Sequence, residues 1–132
     1  MVAAEATAEV DIRIRRLKDA AVLERKFRSL RPIDRRCTIE VTGGLNRPPM
    51  ERTAGIVRLF RIAKGLGREL GIELEESLTG GGSDGNFTAA MGVPTLDGLG
   101  CPGAGAHASH EHILWRELAP RAAFMAGLLE TL

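Results

Sequence analysis

Three observations predict an α/β fold for this 132-residue chain. Two N-terminal stretches alternate polar and apolar residues and bracket a stretch of helical period. Further on, short apolar runs end in glycine-rich loops. Each of those loops leads into another stretch of helical period. Strand, loop and helix in this order form an α/β layout, and such folds place ligands in the loops after strand ends.

The first alternating run is Glu9-Val10-Asp11-Ile12-Arg13-Ile14-Arg15, which puts Val10, Ile12 and Ile14 on one face of a half-buried strand. Asp19 is placed to cap a helix in which Ala20, Leu23, Phe27 and Leu30 recur at helical spacing, ending before Pro32. In the second run Cys37, Ile39 and Val41 face opposite to Thr38, Glu40 and Thr42. Together these form a predicted βαβ unit that stops at Gly43-Gly44. Consecutive prolines at Pro48-Pro49 cannot serve a central strand, so residues 45–50 read as a linker.

Thr53 to about Leu70 reads as a helix with Ile56, Phe60, Ala63 and Leu70 on its apolar side and Gly71 as its stop. Ile72 to Ser77 is a predicted short strand. The loop Thr79-Gly80-Gly81-Gly82-Ser83-Asp84-Gly85-Asn86 then enters a short helix through Met91, stopped at Gly92. Val93 to Leu96 is a predicted buried strand running into a second glycine-rich loop, Gly98 to His107. A last helix carries a predicted stripe of Leu118, Ala122, Met125, Leu129 and Leu132, with Pro120 tolerated in its first turn.

Composition excludes several classes. The hydrophobic share of 44% suits a globular core, and a formal charge of +1 offers no electrostatic case for nucleic acid or an anionic membrane. No apolar run is long enough to span a bilayer, and MVAAEATAEV lacks the basic start and apolar core of a secretory signal. Cys37 and Cys101 are far apart and make no CxxC pattern, so reduced, cytoplasmic thiols are the default. Cys101 stands close to His107, but packing in a tight Gly-Pro turn is its favoured role.

Three features carry chemistry. The 79–86 loop has consecutive glycines that can turn backbone N–H groups towards an anion at a helix start, although a tight structural turn explains the glycines equally well. It lacks the GKS or GKT ending of a nucleotide loop, and Asp84 would repel a phosphate. The second feature is Gly103 to His112, which contains all 3 histidines, His107, His110 and His112. Histidine is a common metal ligand, and Ser109 or Glu111 could hold an imidazole in one tautomer; surface histidines are the alternative. The third is Arg47, set before a rigid Pro-Pro so that its guanidinium could grip a carboxylate bidentately, or simply stand in solvent. Glu75-Glu76 is set aside as a carboxylate pair, because successive strand residues point to opposite faces.

In order, Val10-Asp11-Ile12-Arg13, Asn46-Arg47-Pro48, Gly80-Gly81-Gly82-Ser83-Asp84, Pro94-Thr95-Leu96-Asp97-Gly98-Leu99-Gly100 and Gly105-Ala106-His107 with Glu111 resemble one protein family. It is the zinc-dependent metallopeptidase family of glutamate carboxypeptidase, acetylornithine deacetylase, succinyl-diaminopimelate desuccinylase and aminoacylase. The match spans nearly the whole chain, and the glutamate carboxypeptidase branch looks closest.

The resemblance implies residues 1–45 as half of a lid domain that dimerises, and 46–132 as the C-terminal part of a catalytic domain holding two zinc ions. It places the terminal zinc ligand at His107, the carboxylate-gripping arginine at Arg47, the pocket-lining loop at Gly81 and Gly82, and a recurrent acidic position at Glu111. His110 and His112 match no ligand. The family's His-x-Asp pair, bridging Asp, Glu-Glu dyad and further acidic ligand have no counterpart in this chain. The resemblance therefore implies no catalytic residue here, and a fragment that is inactive alone. The expected substrate is a small peptide or an N-acyl amino acid, and uncovered apolar faces predict self-association, with a homodimer expected. Two readings from other classes are a non-catalytic dimerisation module and a carboxylate-binding α/β module without metal.

Overall fold

A computed structural model describes residues 3–132, so Met1 and Val2, which open the first predicted domain, lie outside the described residues. The chain divides into two compact units, Met1–Glu51 and Arg52–Leu132. The Pro48-Pro49 segment thus belongs to the first unit.

Among the described residues of the first unit the regular element is α1, Lys18–Arg28. Ala20, Leu23 and Phe27 share its half-buried side, and Glu24 holds Arg28 one turn later at 2.7 Å. Asp19 is not the cap. Leu17 occupies that position without a side-chain bond, and Asp19 lies in the first turn, where its carboxylate faces the positive end of the helix. The Leu17 N–H is taken by Glu51 Oε1 at 2.6 Å, a long-range substitute for a local cap.

The predicted βαβ unit is not formed. Residues 9–15 and 37–42 have no regular secondary structure, and Val10 and Ile39 are exposed. Alternation expresses a preference for two faces, whereas a strand exists only when a neighbour supplies ladder hydrogen bonds. Neither segment has such a neighbour among the described residues.

The second unit opens with α2, Ala54–Glu69, close to its predicted span. Thr53 caps it, its hydroxyl accepting the Ile56 N–H at 3.3 Å, and Gly71 leaves it in the left-handed region at φ 71°. Leu70, predicted on the apolar side, is exposed beyond the helix end; Ala63 and Gly67 face inward instead. The Ile72 N–H returns to the Gly67 carbonyl at 2.7 Å, folding the chain back along α2. The short helix α3, Gly85–Ala90, and the stop at Gly92 also follow the sequence.

Residues 72–77 and 93–96 were expected as strands and carry no ladder. The two-stranded antiparallel sheet pairs β1, Gly103–Ala104, with β2, His112–Ile113. A 3-10 turn at Trp115–Glu117 then leads into α4, Leu118–Thr131, with Pro120 in its first turn. The described structure is therefore mixed but helix-dominated, compatible with α/β only at that coarse level.

The core joins α2 to α4. Ala63, Ile72, Phe124 and Leu128 are buried, and Leu66, Leu74, Leu96 and Leu99 pack against them. This corrects the predicted stripe on α4, because Leu118, Met125, Leu129 and Leu132 are exposed while Phe124 is 0% accessible. The helix is apolar on nearly every side, so periodicity cannot choose its buried face; α2 chooses it. Among the described residues no helix is long and apolar enough to cross a membrane.

Candidate functional site

His107 stands near the tip of the hairpin that joins β1 to β2. Gly103 pairs with Ile113 and Ala104 with His112, so residues 105–111 must reverse the chain. They do so in two hydrogen-bonded turns. The Ala108 N–H donates to the Gly105 carbonyl at 2.8 Å, and the Glu111 N–H to the Ala108 carbonyl at 3.0 Å. Gly105 takes φ 73°, and His107 takes φ 66°, a left-handed conformation uncommon for a residue with a β-carbon.

Side chains meet the backbone groups these turns leave over. Glu111 Oε2 accepts the His107 N–H at 3.2 Å. It therefore holds the backbone of His107 and not its ring. His112 Nδ1 lies 3.0 Å from the His110 carbonyl oxygen and donates to it, which places a proton on that nitrogen. The His110 ring lies over Gly105, where a β-carbon would come within 2.7 Å of Cδ2. His107 and His110 do not share a helix face, since both belong to the hairpin loop. At its base, Cys101 Sγ donates to the Leu114 carbonyl at 3.2 Å, in keeping with a packing role for that thiol.

The 79–86 loop is organised by its own side chains. Thr79 Oγ1 accepts the Gly81 N–H, Asn86 Oδ1 the Ser83 N–H and Ser83 Oγ the Gly85 N–H, each at 3.1 Å. These N–H groups are thus occupied within the loop, and the case for an anion cradle loses them. Next to the loop, the Thr88 and Thr95 hydroxyls lie 2.8 Å apart, tying α3 to the segment that precedes Gly98. Gly81 and Gly82 are exposed.

Arg47 is exposed as well and is followed by half-buried Pro48 and Pro49. It belongs to the first unit, whereas Gly81, Gly82, His107 and Glu111 belong to the second. Within the second unit the structure joins His107 to Glu111 by a hydrogen bond. Sequence reasoning missed the left-handed backbone of His107 and the contact of Glu111 with it. The signal was weak: a glycine two residues before the histidine, in a loop short enough to need a reversal. Glu76, set aside above, has a structural partner. Its carboxylate takes Arg52 Nε at 2.5 Å and Nη2 at 2.9 Å. That bond, the main cause, holds the Glu76 carboxyl below its ordinary pKa and the Arg52 guanidinium above its own.

Comparison with known proteins decides the family. The model of peptidase family M20/M25/M40 matches residues 3–131, almost the entire chain. The chain belongs to that peptidase family. Carboxypeptidase G2 of Pseudomonas sp. (strain RS-16) is 31% identical over 134 residues, an alignment covering 98% of this chain and 32% of the relative. The chain thus spans about a third of the length of the curated relative it matches. No solved structure matches it significantly.

The residues of this M20/M25/M40 chain can be tested against the zinc that the resemblance implies. The His107 side chain is exposed, and an imidazole is a borderline nitrogen donor that suits zinc. Among the described residues, no group of three or more His, Cys, Asp and Glu side chains is arranged to hold a metal ion. His107 thus has donor chemistry that suits zinc, and the described residues form no complete coordination sphere.

Proposed function

We propose that this chain is the C-terminal portion of a zinc-dependent carboxypeptidase or N-acyl-amino-acid amidohydrolase. The complete enzyme hydrolyses a peptide or amide bond next to a free carboxylate. The observation that carries this reading is the family match over residues 3–131, within which the histidine of the Gly105-Ala106-His107 motif stands at an exposed hairpin tip. The glutamate carboxypeptidase branch is favoured by the likeness to carboxypeptidase G2.

In this reading His107 is a terminal ligand of one of two zinc ions. Arg47 grips the substrate carboxylate through a planar guanidinium, whose paired donors match two carboxylate oxygens. Gly81 and Gly82 line the pocket, where the absence of side chains lets substrate approach the backbone. Zinc supplies Lewis acidity to this class of hydrolysis. No general base is assigned to this chain, and it is inactive alone. The substrate is a small peptide or N-acyl amino acid, and the enzyme is a homodimer joined through the domain to which residues 1–45 contribute.

His107→Ala in the complete enzyme tests the assignment. Zinc content and hydrolysis should fall together. Turnover should drop by at least about 100-fold, more than the loss of an outer-sphere partner usually costs. Unchanged zinc content and turnover would remove His107 from the metal site.

A further inference from the structure

The His107 backbone holds a conformation that few residues with a β-carbon adopt, at φ 66°. In an otherwise well-bonded loop, that backbone needs a restraint. The two turns of the loop bond the N–H groups of Ala108 and Glu111 to backbone carbonyls, whereas the His107 N–H donates to a side chain, Glu111 Oε2. Four residues and one reversal bring the carboxylate back to that N–H. The remaining histidines serve the same turn: His110 packs on Gly105, and His112 donates to the His110 carbonyl.

We propose that Glu111 is a positioning residue: its carboxylate, accepting the His107 N–H, holds the left-handed backbone that fixes where the His107 imidazole stands. The inference rests on the reading of His107 as a metal ligand. It differs from a role in which Glu111 orients the imidazole by bonding its second nitrogen, the usual service of a carboxylate beside a ligating histidine. It also differs from a purely electrostatic role, because a neutral acceptor at position 111 would preserve it. A bond to a main-chain N–H constrains φ directly, and φ determines where the β-carbon and ring begin.

The test uses isotope-labelled protein of this chain for the backbone, and the complete enzyme with zinc chloride alone as the metal probe. Wild type, Glu111→Gln and Glu111→Ala are compared by NMR. Solvent exchange of the His107 amide reports the clamp, and zinc titration of the apo form of the complete enzyme reports metal affinity. Glu111→Ala should speed exchange of the His107 amide about 10-fold and weaken zinc binding at the ring by a similar factor. The Ala104 and Ile113 amides should stay unchanged, showing that the hairpin is intact. Glu111→Gln, which keeps an acceptor oxygen, should restore most of both. Two results overturn the proposal while leaving His107 a ligand: an unchanged His107 amide in Glu111→Ala, or equal loss of zinc in both variants. If the amide responds as expected but His107→Ala leaves the zinc content of the complete enzyme unchanged, the metal reading fails and the positioning role goes with it.

Discussion

A β-carbon at position 67 would sit 2.8 Å from the carbonyl oxygen of Ile72, the residue whose N–H donates to the Gly67 carbonyl as the chain folds back along α2. Replacing a helical glycine by alanine ordinarily stabilises by roughly 0.5–1 kcal/mol, because alanine has less backbone freedom to lose. At Gly67 the clash outweighs that gain, and Gly67→Ala should destabilise the protein by about 1–3 kcal/mol in urea unfolding. Gly65 lies in the same helix with open space where its β-carbon would go. Gly65→Ala should therefore stabilise, by about 0.5–1 kcal/mol. Opposite signs two residues apart would support the close approach of residues 67 and 72; equal signs would contradict it. A similar contrast holds in the hairpin, where His107 tolerates a positive φ that glycine adopts without strain, and Glu111 binds the N–H that results.

The element that decides the core is α4. Phe124 and Leu128 are turned towards α2, while Leu129, one residue on, is 78% exposed. Phe124→Ala should cost about 3–5 kcal/mol through lost burial and a residual cavity. Leu129→Ala should change stability by less than about 0.5 kcal/mol. Thermal or urea unfolding of the two variants checks which face α4 buries; the reverse ranking would restore the stripe read from its periodicity. A second inter-element tie is the Arg52–Glu76 pair, which fastens the approach to α2 to the segment after Ile72. The folded protein lowers the Glu76 pKa, chiefly through the bond from Arg52. Its contribution is thus fully present above the ordinary glutamate value of the unfolded chain and is lost as pH falls through the lower folded value. The stability difference between wild type and Glu76→Gln should be constant near neutrality and shrink in acid. A difference that grows as pH falls would show that the pair is not formed.

For the molecule as a whole, the balance of apolar surface suggests association. Val10 and Ile12 in one unit, and Met125, Leu129 and Leu132 in the other, leave large side chains in solvent. Met125, Leu129 and Leu132 recur at helical spacing, and an exposed apolar stripe is commonly covered by another protein surface. We expect the purified chain to self-associate at micromolar concentration in sedimentation velocity. Leu129→Glu should shift it towards monomer, since charge at such a contact opposes burial. A wild-type monomer across that range would show that these faces remain in water.

Much of the organisation was legible in the residues themselves, because it depends on interactions between near neighbours. Thr53 at a helix start, Gly71 and Gly92 at stops, and Pro120 in a first turn act within a few residues, so α2, α3 and α4 could be placed from sequence. The ordered motifs also sufficed to recognise the family now matched over residues 3–131. Features that depend on distant partners were not legible. Residues 9–15 and 37–42 alternate as strands do, but no ladder forms, because a strand is defined by its neighbour. The buried face of α4 was chosen by α2, since a helix apolar all round carries no facial preference of its own. The left-handed His107 and its Glu111 clamp emerge only once β1 and β2 pair, for only then must residues 105–111 turn back within so short a span.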